Sequence, residues 1–128
     1  MRNENWLEYG MIYINGKVLK KISDIPWVKH PKFEGVFMKT LFSGSDSNNN
    51  LSSLIVKIEP NHEIGNHIHQ GKAELHEILE GEGVAIVDNI NIKYSRGVIS
   101  FIPEDINHTI TAGNKGLIFF AKFTPALN

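Results

Sequence analysis

Apolar and polar residues alternate along most of this chain in short runs. Val36 to Phe42, Leu51 to Glu59, Glu74 to Glu80, Val84 to Val87, Ile90 to Tyr94, Val98 to Ile102, His108 to Ala112 and Leu117 to Phe123 each read as a strand. Successive side chains of a strand point to opposite faces, so alternation marks one buried and one outer face. On the last strand Phe119, Ala121 and Phe123 share a face, and Lys122 marks the other as exposed. Turn signals separate the runs. They are Ser43 to Asn50, Pro60-Asn61, Gln70 to Ala73, Asp88-Asn89, Ser95 to Gly97, Pro103 to Asn107 and Gly113 to Gly116, and Gly81 and Gly83 bracket a further turn. No long segment keeps a helical period. The pattern predicts an all-β sandwich or barrel.

Ahead of this core, residues 9 to 22 carry Asn15-Gly16 between two β-prone runs. That dipeptide is a strong signal for a hairpin with a mirror-image turn. Residues 23 to 35 contain two prolines and read as an extended loop, anchored by Trp27 and Phe33. His30 reads as an isolated, exposed loop histidine. No internal repeat or linker divides the chain, so residues 1–128 are expected to form one domain.

Composition narrows the partners. The net charge of −1 gives no electrostatic case for nucleic acid or an anionic membrane. With 41% hydrophobic residues the chain can bury a core. It has no cysteine, so disulfides and thiolate chemistry are excluded, and any metal must sit on imidazoles and carboxylates. No apolar run has the length of a membrane-spanning helix. The polar, acidic start Met-Arg-Asn-Glu-Asn-Trp does not read as a secretory signal, so a cytoplasmic location is expected.

The candidate chemistry lies between His67 and Gly81, H-I-H-Q-G-K-A-E-L-H-E-I-L-E-G. On a strand, His67 and His69 would share a face, and Glu74, opening the next strand, would return a carboxylate to the same place. Two imidazoles and one carboxylate make a partial ligand set for a divalent metal. His108 is the candidate fourth ligand. A His-x-His pair alone is also common surface decoration. His76 has the parity of Glu74 and should point inward, as a fifth ligand, a general base or substrate-binding group, or a buried histidine bonded to a neighbour. Glu77 has the opposite parity and should face solvent. His62, in the preceding turn, reads as exposed or adjacent to the site.

The arrangement resembles the cupin family. Its first motif is Gly, five residues, His-x-His, three or four residues, Glu, six residues, Gly. His67, His69, Glu74 and Gly81 match in register. The second motif is Gly, five residues, Pro-x-Gly, two residues, His, three residues, Asn, and Gly97, Pro103 and His108 match. Asn61, Asp105 and Ala112 stand where the motifs have Gly, Gly and Asn. Asn and Asp tolerate the left-handed backbone best among non-glycine residues, so both turns are expected to survive.

The resemblance implies a double-stranded β-helix, a jelly-roll-type barrel, with its core at about residues 51 to 123 and the N-terminal hairpin and loop before it. It implies one divalent transition metal (Mn, Fe, Ni, Co, Cu or Zn) on His67, His69, Glu74 and His108, in an open site. It also implies a small-molecule partner. In small cupins such N-terminal strands often add to a partner's sheet, which implies a homodimer. The alternative is that the hairpin packs on its own barrel. The expected pocket walls are Ile78, Ile110, Phe119 and Phe123. Lys39, Lys57 and Arg96 could anchor a carboxylate but read as solvent-facing.

Two functions are then in contention. One is a metal-dependent enzyme of dioxygenase, isomerase or lyase type, acting on a small organic acid, sugar or carbonyl compound, with His76 as acid–base group. The other is a non-catalytic small-molecule binding or sensor module. A storage role with a vestigial site is disfavoured by the complete ligand set.

Overall fold

The computed structural model describes residues 6–128. The acidic start, apart from Trp6, lies outside the described residues. A short helix, α1 (Trp6–Tyr9), precedes a hairpin of β1 (Met11–Ile14) and β2 (Lys17–Lys21). Asn15 and Gly16 have φ values of 52° and 77°, so both central residues of its turn are left-handed, as the sequence predicts. The main sheet follows, with β3 (Val28–Lys29), β4 (Val36–Phe42), β5 (Ser52–Ile58), β6 (Glu63–His67) and β7 (Ala73–Val87). It is completed by β8 (Ile90–Ser95), β9 (Ile99–Ile102) and β10 (His108–Thr124). Among the described residues no helix is long and apolar enough to cross a membrane.

Two long antiparallel strands, β7 and β10, organise the barrel. The first half of β7 pairs β9 and its second half pairs β8. β10 pairs β6 through His108 to Thr111 and β5 through Leu117 to Phe123. Each long strand therefore crosses from one layer of the double-stranded β-helix to the other. One layer holds β3, β4, β5 and β9; the other holds β6 and β8.

The crossing point revises two sequence expectations. Gly81 and Gly83 do not bracket a turn, and Gly113 to Gly116 is not a loop. Both stretches lie inside the long strands and face each other. Ala112 pairs Gly83 and Leu117 pairs Gly81, so the intervening residues of β10 form a bulge. Bulges and glycines bend strands at barrel corners. Gly81 has φ of 82°, and a Cβ there would overlap the Gly116 carbonyl oxygen. The glycine signal was real, but it marked a bend within paired strands.

The barrel sheet also begins at Val28, well before residue 51. Its interior holds Val36, Leu54, Val56, Ile58, Ile78, Tyr94, Ile110, Phe119 and Phe123. A second apolar cluster lies on the outer face, where Ile12, Ile22 and Ile25 of the N-terminal segment pack with Leu41, Ile55, Ile118 and Phe120. The hairpin is a separate two-stranded sheet resting on its own barrel through Ile12. Lys39 is not solvent-facing. It is buried under this segment, donates to the Ile22 carbonyl at 3.3 Å and lies 5.1 Å from the Trp27 ring centre. Lys122 and Glu77 are half-buried and form an ion pair of 2.6 Å beside this cluster rather than projecting freely into solvent.

Candidate metal centre

Four sequence-predicted residues converge between the layers. One ligand atom from each of His67, His69, Glu74 and His108 lies within 4.8 Å of the others. Strand register accounts for part of this. His108 at the start of β10 is directly opposite His67 at the end of β6, and their ring centres are 4.1 Å apart. Glu74 enters on β7, paired on both sides by Phe123 and Ile102. His69 differs from expectation because β6 ends at His67. Its position comes from the turn beyond the strand, with its Nε2 3.6 Å from Glu74 Oε1.

The turns carrying the motif departures are intact. Asn61 and Asp105 have φ of 63° and 65°. Asp105 does more than tolerate its turn. Its Oδ1 accepts the Gly71 N–H at 2.9 Å, joining the turn before His108 to the turn after His69.

Hydrogen bonds fix which atom each ligand presents. His67 Nδ1 meets the Gly65 carbonyl at 2.8 Å and His108 Nδ1 meets the Ile106 carbonyl at 3.0 Å. A carbonyl only accepts, so both Nδ1 atoms carry the proton and the neutral rings present a bare Nε2. Glu74 Oε2 accepts from His76 Nε2 at 2.7 Å, and His76 Nδ1 meets the Tyr94 hydroxyl at 2.8 Å. Burial pushes the Tyr94 phenol up to about 12, so it stays protonated and donates to His76. This chain sets the Glu74 rotamer and leaves Oε1 facing the cluster.

Two buried acceptors are then left opposed. Glu74 Oε1 and His108 Nε2 are 3.1 Å apart, and neither has a hydrogen-bond partner among the described residues. Glu74 is 5% and His108 is 1% exposed. Facing lone pairs at this depth need a shared proton or a cation between them. The electrostatics agree. Burial alone would raise the Glu74 carboxyl, but the His76 and His108 imidazoles outweigh it and hold the group well below the carboxylate range. Burial opposes a charge on His108, yet the Glu74 carboxylate raises its pKa. Burial lowers His67 to about 4 and also lowers His69, so both rings are neutral and ready to act as ligands. Nitrogen and oxygen donors of this kind fit a divalent transition metal.

His67, His69 and Glu74 of the cluster line a cavity of about 260 Å³, and the buried His108 does not. Ile110, Phe119 and Phe123 line it as expected, whereas Ile78 is in the core behind it. His76 is 0% exposed and does not line the cavity; it meets the site through its hydrogen bond to Glu74 and with its ring edge-on to His108. His62 packs against Gly35, with its Nδ1 3.0 Å from the Pro60 carbonyl. His30 and Lys32 line the cavity, which the sequence reading missed. The available signal was Phe33, an anchor residue three positions from His30.

The ChrR cupin-like domain family model matches residues 15–127. The chain belongs to that family. Among curated proteins, this cupin is 31% identical over 97 residues to the dimethylsulfoniopropionate lyase DddW of Ruegeria pomeroyi. The match covers 75% of this chain and 63% of that enzyme, so the chain spans less than two thirds of the relative's length. Among solved structures, it is similar to a protein described as a predicted oxalate decarboxylase from Thermotoga maritima. The TM-score is 0.74 and identity 28%, covering 80% of this chain and 95% of that one. An RmlC-like cupin from Shewanella frigidimarina superposes with a TM-score of 0.72 at 20% identity, over 83% of this chain and 88% of that one. That second likeness shows the shared fold.

Proposed function

We propose that this cupin is a metal-dependent enzyme of lyase type acting on a small organic acid. The observation that carries the proposal is the opposed, unpartnered pair Glu74 Oε1 and His108 Nε2, with Glu74, His67 and His69 lining a cavity. His67, His69, Glu74 and His108 would hold the ion. A divalent metal there would polarise an oxygen donor of the substrate and stabilise negative charge developing on it. The chain's own residues supply the setting. Phe119, Phe123 and Ile110 give the cavity an apolar wall, and a low-dielectric surrounding strengthens electrostatic interactions. His76 and Tyr94 hold the Glu74 carboxylate in one orientation. Two relatives, one a dimethylsulfoniopropionate lyase and one described as a predicted oxalate decarboxylase, favour bond cleavage in a small carboxylate over oxygenation or isomerisation.

A binding or sensor module is the second reading, and one observation favours it. Among the described residues lining the cavity, no histidine outside the ligand set offers a free ring nitrogen as a base. His76 is sealed away, and the Nδ1 of His30 is already occupied. The two readings separate on incubation of metal-loaded protein with oxalate, dimethylsulfoniopropionate and other short carboxylates, followed by NMR. Conversion that is lost in His69→Ala supports the enzyme. Saturable binding with every acid unchanged contradicts it.

A further inference from the structure

The loop from His30 to Gly35 carries chemistry that the four-residue cluster does not use. It is held at several points. His30 N–H donates to the Val36 carbonyl at 2.8 Å, and the Gly35 carbonyl accepts from Glu59 N–H at 2.8 Å. Phe33 lies against β6 at Gly65, where an added Cβ would be 3.1 Å from the Phe33 ring. The Phe33 ring centre is 4.9 Å from that of His30 and 6.3 Å from that of His67. The loop thus spans from the cavity wall to a ligand-bearing strand.

Its amides determine the tautomer of His30. Nδ1 accepts the Lys32 N–H at 3.0 Å and the Phe33 N–H at 3.2 Å. A ring nitrogen that accepts cannot also carry the proton, so the neutral ring carries it on Nε2. Burial first, and then the charge of Lys32, lower the pKa, which favours this neutral form. His30 is therefore a fixed hydrogen-bond donor. Outside the ligand cluster, His30 and Lys32 are the only hydrogen-bonding side chains among the described residues that line the cavity. The remaining wall is apolar.

We propose that His30 and Lys32 form a second anchor that binds an anionic group of the substrate, a carboxylate or its equivalent, while another oxygen donor reaches the metal cluster. The substrate class is then a small acid with two separated oxygen-bearing ends. This rests on the reading of the cluster as a metal site.

The test compares glutarate and butyrate by titration calorimetry on cobalt-loaded protein. Both acids offer one carboxylate to the metal, and only glutarate has a second. The parent should bind glutarate about tenfold tighter or better, the size of a charge-assisted hydrogen bond. His30→Asn keeps an oxygen that can accept the loop amides, as Asn does in turns, but lacks the Nε2–H donor. It should keep cobalt content and butyrate affinity while the glutarate preference falls to about threefold or less. Lys32→Met should weaken the preference by a smaller factor. A preference that survives in His30→Asn overturns the anchor. So does a parent that takes up cobalt but shows no preference or binds neither acid. A parent that takes up no cobalt overturns the metal-site reading, and the anchor falls with it.

Discussion

The candidate site has two unlike halves. Glu74 and His108 are buried, on long strands paired along most of their length. His67 and His69 are half-buried, one at the last residue of β6 and the other beyond it. Among the described residues β6 pairs only with β10. The first half is fixed by ladder hydrogen bonds and by the Tyr94–His76–Glu74 chain. The second is held by the one ladder pairing of His67 with His108 and by single tethers, His67 to Gly65 and Gly71 to Asp105. The buried half supplies a rigid, charged base. The other half forms the open side, with Phe33 and Phe123 beside its rings. Pre-organised charge and an accessible face are both needed in an open metal site, and the fold obtains them from different kinds of backbone.

Substitutions should break this contrast in a definite order. The largest effect on folding is expected from His76→Ala. It leaves Glu74 Oε2 buried without its partner and removes a ring packed 4.9 Å from Phe119. Leaving a buried carboxylate without its hydrogen-bond donor costs about 1–3 kcal/mol or more, and the vacated ring volume adds to it, which denaturant unfolding would register. A loss below about 1 kcal/mol would mean that Glu74 is not held by His76. His69→Ala should do the reverse. Its ring sits outside the strands, so unfolding should shift by less than about 1 kcal/mol, while metal affinity falls by more than about a hundredfold. Comparable damage to stability would erase the distinction between the halves. Asp105→Ala is the finest probe. It frees the Gly71 N–H and loosens the His69 turn. Competition with a chelator should show metal affinity down by about tenfold, with unfolding lowered by about 1 kcal/mol.

The same contrast explains what could be read from the sequence. Alternation and turn residues marked the strands because each strand buries one face. The His67, His69, Glu74 and His108 set followed from motif spacing. Asn61 and Asp105 were recognised as left-handed residues from side-chain chemistry alone. The bend at Gly81 and Gly116 was misread as turns, because a glycine in a bulge looks like a glycine in a loop until its cross-strand partner is known. The link from Tyr94 to His76 is invisible in the sequence, since strand order, not sequence distance, places β8 beside β7. Lys39 was assigned to solvent because nothing local announced that Ile12, Ile22 and Ile25 would cover that face. His30 reads from the sequence as an isolated loop histidine. Its tautomer is fixed by amides that come together only once the loop is folded.

Metal content by elemental mass spectrometry, on protein purified without chelator or nickel resin, tests the central claim most directly. His67→Ala and His108→Ala should be measured alongside, one from each half of the site. Close to one transition-metal ion per chain is expected in the parent, with its loss in both variants. A folded parent that carries no metal and takes up none when it is supplied would contradict the claim.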